Sequence, residues 1–157
     1  MTPEMLVDNK FNLKKKFEDG REVIYISGNL DEDARFDEVR KDQPLIFDMR
    51  GIVGVNSCGV RNWVNFMRDH KSQPVTFRHC SPAVVHQMNM VPSFKGHAQV
   101  ISIYVPYACV HCDSEDRVFV DLAKGTQKAP EKIPCKNCKV GKMEIDGDEQ
   151  QYFAFAA

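Results

Sequence analysis

The feature that most constrains this chain is a pair of CxxC motifs near its C-terminus. Cys109 and Cys112 form the first motif and Cys135 and Cys138 the second, with residues 113–134, 22 in all, between them. A gap of two residues lets a tight turn aim both thiolates at one ion, and two such turns supply the four ligands of a tetrahedral site. The spacing therefore predicts that the two turns meet around a single metal ion.

Other uses of four cysteines are weighed against this one. Disulfides are not expected, because the acidic, interrupted start of the chain, MTPEMLVDNK, lacks the form of a secretory signal. A redox CxxC usually opens a helix, and no helical pattern follows either pair. Iron held as in rubredoxin stays open beside zinc, and His111 is expected to point away from the ion. With cysteine in all four positions, one structural Zn²⁺ is the predicted cofactor.

The segments around the cysteines are strand-like. RVFVDLA and KMEIDGDEQQYFAF have strand composition, and AKGTQKAPEK between them suits a hairpin loop. This arrangement resembles a zinc ribbon, predicted as an extension over residues 106–157 that grows directly out of the preceding strand. The lysines of this tail are nearly offset by acidic residues and are not interleaved with aromatic side chains, so a solvated loop is favoured over a nucleic-acid surface.

Composition bounds the rest of the chain. Its 157 residues are 43% hydrophobic and 27% charged, as in a soluble globular protein able to bury a real core. The 21 Lys and Arg nearly balance the 22 Asp and Glu, so there is no global electrostatic signature for nucleic acid or anionic membrane. No apolar run reaches the ~18 residues that span a bilayer. A cytoplasmic location is expected.

Residues 1–105 alternate between predicted strands and helices. EVIYISG, PLIFDM, QPVTFRHC and AQVISIYVPY have strand composition, and a turn is predicted at Asp19-Gly20. A short exposed helix is predicted over NLDEDARFDEVRKDQ, with Asp31 as its N-cap. Val60, Trp63, Val64 and Met67 share one face of a second helix, and a third begins at Ser81-Pro82 and closes at Pro92. The fold class is α/β, with helices packed on a mostly parallel or mixed sheet.

A short polar segment, Asn56-Ser57-Cys58-Gly59, lies where a buried strand passes into the second helix. The first amides of a helix are unpaired and its dipole is positive there, so an anion is well tolerated. The simplest interpretation is that Asn56 or Ser57 is the N-cap. Cys58 is expected to be a small packed side chain, with a redox role as the alternative.

These residues carry a resemblance to a known family. The element order, the strand aspartate Asp48, the Asn56–Gly59 segment and Ser81-Pro82 at a helix start resemble the STAS domain of anti-sigma factor antagonists, over residues 15–105. The resemblance implies that a partner kinase phosphorylates Ser57 and that the unphosphorylated surface at residues 56–59 docks on that partner. Some STAS domains have lost phosphorylation and act as docking units in larger complexes. Asn56 departs from the family's aspartate, and the cysteine tail replaces the family's fourth helix.

The expected function is therefore regulatory docking between proteins, with an anti-sigma-like kinase or a larger regulatory complex as partner. Neither catalysis nor nucleic-acid binding is expected. The alternative is a zinc-ribbon nucleic-acid-binding or transcription-associated adaptor in which the STAS-like part is a scaffold. A third hypothesis is a small enzyme or sensor using Cys58. The four histidines at positions 70, 79, 86 and 97 show no ligand spacing and are expected to be surface or core residues.

Overall fold

A computed structural model describes residues 9–125, 128–131 and 133–156, with only the backbone described for Lys124. The strands are β1 Asn12–Glu18, β2 Arg21–Leu30, β3 Leu45–Val55, β4 Val75–Arg78, β5 Gln99–Val100, β6 Ser102–Cys109, β7 Glu115–Asp121, β8 Ile133–Pro134 and β9 Lys142–Ile145. The helices are α1 Ser57–Asp69, α2 Pro82–Met90, α3 Pro92–Lys95 and α4 Glu149–Tyr152, with single 3-10 turns at Leu122–Lys124 and Ala154–Ala156.

The larger sheet is mixed, in the order β1-β2-β3-β4-β5. β1 and β2 are antiparallel, whereas the pairs β2–β3, β3–β4 and β4–β5 are parallel. Asp19 and Gly20 join β1 to β2 with φ of 52° and 78°, as a two-residue hairpin turn of the I′ kind requires. The predicted turn and the α/β class with a mixed sheet are confirmed.

The helices pack on one face of this sheet around Trp63. Its side chain is fully buried, and its ring lies 5.1 Å from Phe47 of β3 and 5.7 Å from Phe94 of α3, centroid to centroid. The indole N–H donates to the carbonyl of Phe94 over 2.9 Å. The predicted cap of α2 is also found, since Ser81 accepts from the amide of Val84 at the start of that helix. The core therefore lies between α1, α2, α3 and the sheet.

The smaller sheet is antiparallel, in the order β7-β6-β9-β8. Its strand β6 follows β5 directly and also runs beside the end of β4, where the amide of Tyr104 donates to the carbonyl of Cys80 over 2.8 Å. The chain then returns to the helical layer, since Asn89 of α2 donates to the carbonyl of Tyr152 over 3.0 Å. The domain boundary predicted between residues 105 and 106 falls inside β6 and stays a prediction.

Two predicted elements are wrong. Residues 29–43 complete β2 and then form turns and bends instead of a helix. Asp31 accepts a hydrogen bond from the amide of Asp33, an Asx turn that competes with helix formation, and Phe36 packs edge-on to Trp63. In the tail, the strand-like segment after Lys142 stops at Ile145, because Gly147 has φ of 111° and Asp148 caps α4. Residues 126, 127 and 132 of the predicted hairpin loop lie outside the described residues.

Candidate functional site

The four predicted metal ligands come together at one end of the smaller sheet. Cys109 ends β6 and Cys112 lies in the turn after it, while Cys135 follows β8 and Cys138 precedes β9. Their sulfurs all lie within 4.8 Å of one another. Because β6 pairs with β9 and β9 pairs with β8, the sheet itself brings the two turns together.

The distances between the sulfurs suit a tetrahedral ion. The Cys109–Cys138 and Cys112–Cys135 pairs are each 3.7 Å apart, Sγ to Sγ. A metal–sulfur bond of ~2.3 Å in tetrahedral geometry sets the sulfurs about 3.8 Å apart. A disulfide would need a separation of about 2.05 Å, and the four cysteines are not bonded in this way. The four residues therefore lie close enough to bind a metal ion.

Backbone amides support two of the sulfurs. The N–H groups of His111 and Cys112 point at Cys109 Sγ over 3.4 Å each, and the N–H of Gly141 points at Cys138 Sγ over 3.3 Å. Such donors stabilise a thiolate over a thiol, and metal binding requires the thiolate. His111 itself is exposed and contributes through its backbone.

Ser114 is a member of this site that the motif search missed. Its hydroxyl lies 3.0 Å from Cys112 Sγ and 3.3 Å from Cys135 Sγ, so it links the two halves of the centre. The Ser114 hydrogen bonds are the largest cause that lowers the pKa of Cys112 to about 7 and that of Cys135 to about 6. The only sequence signal was a hydroxyl two residues beyond a ligand.

Gly141 is a second residue that spacing did not single out. A Cβ at this position would lie 2.5 Å from the Cβ of His111 and 2.6 Å from Cys109 Sγ. Only glycine lets the backbone come this close to a ligand sulfur, so the second turn is shaped to wrap the centre. The residues present thus fit a four-cysteine metal ion, both in the ligands and in the backbone around them.

The Asn56–Gly59 segment forms the exposed start of α1. Asn56 is the N-cap, and its Oδ1 accepts the N–H of Gly59 over 2.8 Å. Ser57 is the first residue of the helix, and Asn56, Ser57 and Cys58 are all exposed. The expectation that Cys58 is packed is therefore wrong. The structure thus leaves the Ser57 hydroxyl at the surface, where a partner could reach it.

Glu32 borders the same surface and was not predicted. The side-chain N–H of Asn56 donates to Glu32 Oε2 over 3.0 Å. An aspartate at position 56 could cap the helix equally well, but it would set a second carboxylate against Glu32. This contact gives a physical reason for asparagine at position 56.

Gly59 anchors the helix start to the sheet. It is buried, and a Cβ on it would lie 1.8 Å from the carbonyl oxygen of Leu30, the last residue of β2. The same carbonyl accepts the N–H of Asn56 over 3.1 Å. The segment is therefore held by backbone contacts and by the Asn56 cap, while the side chains of Ser57 and Cys58 stay exposed.

Asp48, the strand aspartate, is buried in β3 between two arginines. Arg50 Nη2 lies 2.8 Å and Arg78 Nε 3.0 Å from its Oδ2. Burial by itself would raise the pKa of Asp48, but hydrogen bonds from Arg50 and Arg78 outweigh it and hold that pKa below the ordinary value. Asp48 is thus a paired anion inside the sheet.

Comparisons of the chain with protein-family models, with curated proteins and with solved structures gave no match. Within the described ranges, no helix is long and apolar enough to cross a membrane.

Proposed function

We propose that this chain is a regulatory docking protein whose partner binds the exposed start of α1, at residues 56–59. The observation that carries the proposal is the contrast between a fixed backbone and the exposed side chains of Ser57 and Cys58. Gly59 holds the turn against Leu30, and Asn56 caps the helix, while Ser57 and Cys58 are exposed. A partner can therefore recognise a preformed surface and needs to order little of it.

The resemblance to anti-sigma factor antagonists supports the nature of this docking. The mixed sheet with an antiparallel edge strand, the buried Asp48 and the Ser81-capped α2 are compatible with a STAS-like domain. The proposed partner is a protein, either an anti-sigma-like kinase or a larger regulatory complex. Catalysis by this chain is not part of the proposal.

Phosphorylation of Ser57 is the proposed switch. A phosphate adds about −1.5 to −2 charges at a helix N-terminus, where the dipole and the first amides tolerate it. The same charge would be set beside a surface already carrying Glu32, which is bonded to Asn56. A partner that fits the neutral hydroxyl would then be repelled by the phosphorylated form.

The experiment is affinity purification of the tagged chain from native cells, with phosphosite mapping. Ser57→Asp is expected to recover less of the partner than the unchanged protein. Ser72→Asp is the matched control, since Ser72 is also an exposed serine and lies beyond the opposite end of α1. Undiminished recovery by Ser57→Asp would contradict docking at residues 56–59, and loss of binding with both variants would mean a general effect of charge.

We further propose that the four-cysteine centre holds one structural Zn²⁺. Four cysteine ligands leave no position for water or substrate, so the ion would fold the tail and not catalyse. Iron suits the same geometry, and elemental analysis of the purified protein distinguishes the two. One zinc per chain is expected, and a stoichiometric, coloured iron centre would contradict the proposal.

A further inference from the structure

The sheet face opposite the helices carries basic and aromatic side chains. Phe47 points at the helical layer, where it contacts Trp63, so its neighbour Asp48 belongs to the other face. The strand register places Tyr25 beside Asp48 and Asp48 beside Arg78 on that face. We name it the open face and define it by Lys14, Lys16, Tyr25, Asp48, Arg50, Arg78, His79, Tyr104, Arg117 and Phe119.

A charged network fixes the middle of the open face. Arg78 donates to Asp48, to the hydroxyl of Tyr25 over 2.7 Å and to Glu18 over 3.1 Å. The two carboxylates are therefore already bonded to arginine. Arg50, on the other side of Asp48, keeps 47% of its side chain exposed and presents a charge-bearing edge to the solvent.

Aromatic rings occupy the other end of the open face. The rings of His79 and Phe119 lie 5.0 Å apart, and those of Tyr104 and Phe119 lie 5.8 Å apart, centroid to centroid. Arg117 lies over Tyr104 at 5.1 Å, and Phe119 is 46% exposed. A phenylalanine left this exposed among rings and a guanidinium offers a surface on which a planar base can stack.

His79 has an unusual backbone conformation at the aromatic end of the open face. Its φ of 51° is in the left-handed region, which non-glycine residues seldom adopt. The conformation follows directly after β4 and brings the ring against Phe119. Burial lowers the pKa of His79, which favours the neutral form of its ring.

The two ends belong to one continuous surface. β4 is followed by Cys80, which pairs in parallel with Ile103 of β6, and β6 pairs with β7 through Tyr104 and Phe119. From β1 to β7 there are thus five strand-to-strand steps, which at ~4.8 Å each span about 24 Å. At the end of the open face formed by β1, β2 and β3 there is a groove of about 230 Å³. It is lined by Asn12, Lys14, Lys16, Tyr25, Ile26, Ser27, Asp48, Arg50 and Gly51.

The charges of the face favour an anionic, extended partner. Lys14, Lys16, Arg50 and Arg117 are exposed cations along this span. Glu115 and Asp121 lie on the same face of β7, but at its two ends. Between those ends a chain of phosphates would meet cations, and its bases would meet Tyr104 and Phe119.

We propose that the open face binds single-stranded RNA. Lys14, Lys16 and Arg50 at one end and Arg117 beside the rings would pair with phosphates. The ring cluster of His79, Tyr104 and Phe119 would stack on one or two bases. RNA is favoured over DNA because Asn12 and Ser27 line the groove beside Lys14 and Lys16, and neutral amide and hydroxyl groups suit the 2′-hydroxyl. The lysines of the cysteine tail have no part in this site.

The test is fluorescence anisotropy of the full chain with a labelled 12-nucleotide oligouridine, and with oligo-dT and a 12-base-pair duplex of matched length. Four phosphate contacts predict a slope of log affinity against log salt of about −2.8 for a single strand. Lys14→Ala/Lys16→Ala is expected to reduce that slope to about −1.4. Phe119→Ala is expected to lower the affinity for oligouridine at least about fivefold through lost stacking, with little change in the salt slope.

Lys71→Ala/Lys136→Ala is the charge-matched control, since both lysines are exposed and lie off the open face. Circular dichroism of each variant excludes unfolding as the cause of any loss. The proposal is overturned if oligouridine does not bind at low salt. It is also overturned if the control variant lowers the affinity for oligouridine as much as Lys14→Ala/Lys16→Ala does. Equal affinity for oligo-dT or the duplex would overturn the assignment to single-stranded RNA. Loss of a protein partner with Lys14→Ala/Lys16→Ala, without any RNA binding, would also overturn it and assign the face to protein.

Discussion

Replacing Gly59 by alanine tests how the start of α1 is built. The added Cβ would lie 1.8 Å from the carbonyl oxygen of Leu30, 2.3 Å from its carbonyl carbon and 2.9 Å from the amide nitrogen of Asp31. All three atoms are backbone, so no flexible side chain can move aside. A carbon–oxygen contact needs about 3.3 Å, which means that α1 and the end of β2 must separate by about 1.5 Å.

The cost follows from that separation. Overpacking of this kind costs about 1–3 kcal/mol. The hydrogen bond from the Asn56 N–H to the same Leu30 carbonyl, worth about 1 kcal/mol net, would also be stretched or lost. Alanine gains about 1 kcal/mol over glycine in helix propensity, which offsets the lost hydrogen bond. Gly59→Ala is therefore expected to lower the free energy of unfolding by about 1–3 kcal/mol.

Urea unfolding followed by circular dichroism and by Trp63 fluorescence measures the change. Cys58→Ala is the matched control, because it alters the preceding, exposed residue in the same turn and should stay within about 0.5 kcal/mol of the unchanged protein. If Gly59→Ala were as stable as Cys58→Ala, the close approach of α1 to Leu30 would be wrong, and the preformed docking surface would lose its basis.

Four further changes test other parts of the structure. Cys112→Ser should release the metal and lower the melting temperature, and full metal occupancy by elemental analysis would contradict the four-cysteine centre. Gly141→Ala should lower the affinity for the metal about 10- to 100-fold, measured by competition with a chelator, since the added Cβ would lie 2.6 Å from Cys109 Sγ. Asn56→Ala should cost about 1 kcal/mol of stability through the lost N-cap, measured by urea unfolding. The folded pKa of Asp48 is lowered, so the stability that the ionised carboxylate adds is fully present above pH ~4. That stability is lost as the pH falls through the folded pKa. The stability gap between the unchanged protein and Asp48→Asn should therefore narrow in acid, and a constant gap would refute the pairing with arginine.

Local patterns were sufficient for several elements. The face formed by Val60, Trp63 and Met67 predicted α1, and Ser81-Pro82 predicted the start of α2. Asp19-Gly20 predicted the hairpin turn. Each of these depends on interactions within a few residues, which is why propensity and periodicity are informative about them.

Local patterns were misleading where tertiary contacts outweighed them. The acidic segment after β2 has the pattern of a capped helix. In the structure, however, Phe36 packs against the rings of Trp63 and Phe66, and the Asp31 carboxylate accepts a hydrogen bond from the amide of Asp33. A thin apolar stripe provides too little burial to hold a helix against those contacts. The end of the tail likewise became α4, whose Tyr152 carbonyl accepts from Asn89 of α2.

The sequence by itself indicated which four cysteines come together, because two CxxC gaps encode two turns whatever surrounds them. Only the tertiary structure decided what completes each site. The Ser114 hydroxyl bridges sulfurs from both turns, and Gly59 meets the carbonyl of Leu30 at the end of another element. The open face likewise depends on the register of several strands, as in the pairing of Tyr25 with Asp48. Spacing along the chain carries no information about such approaches, since packing of the whole core sets which distant backbones come together.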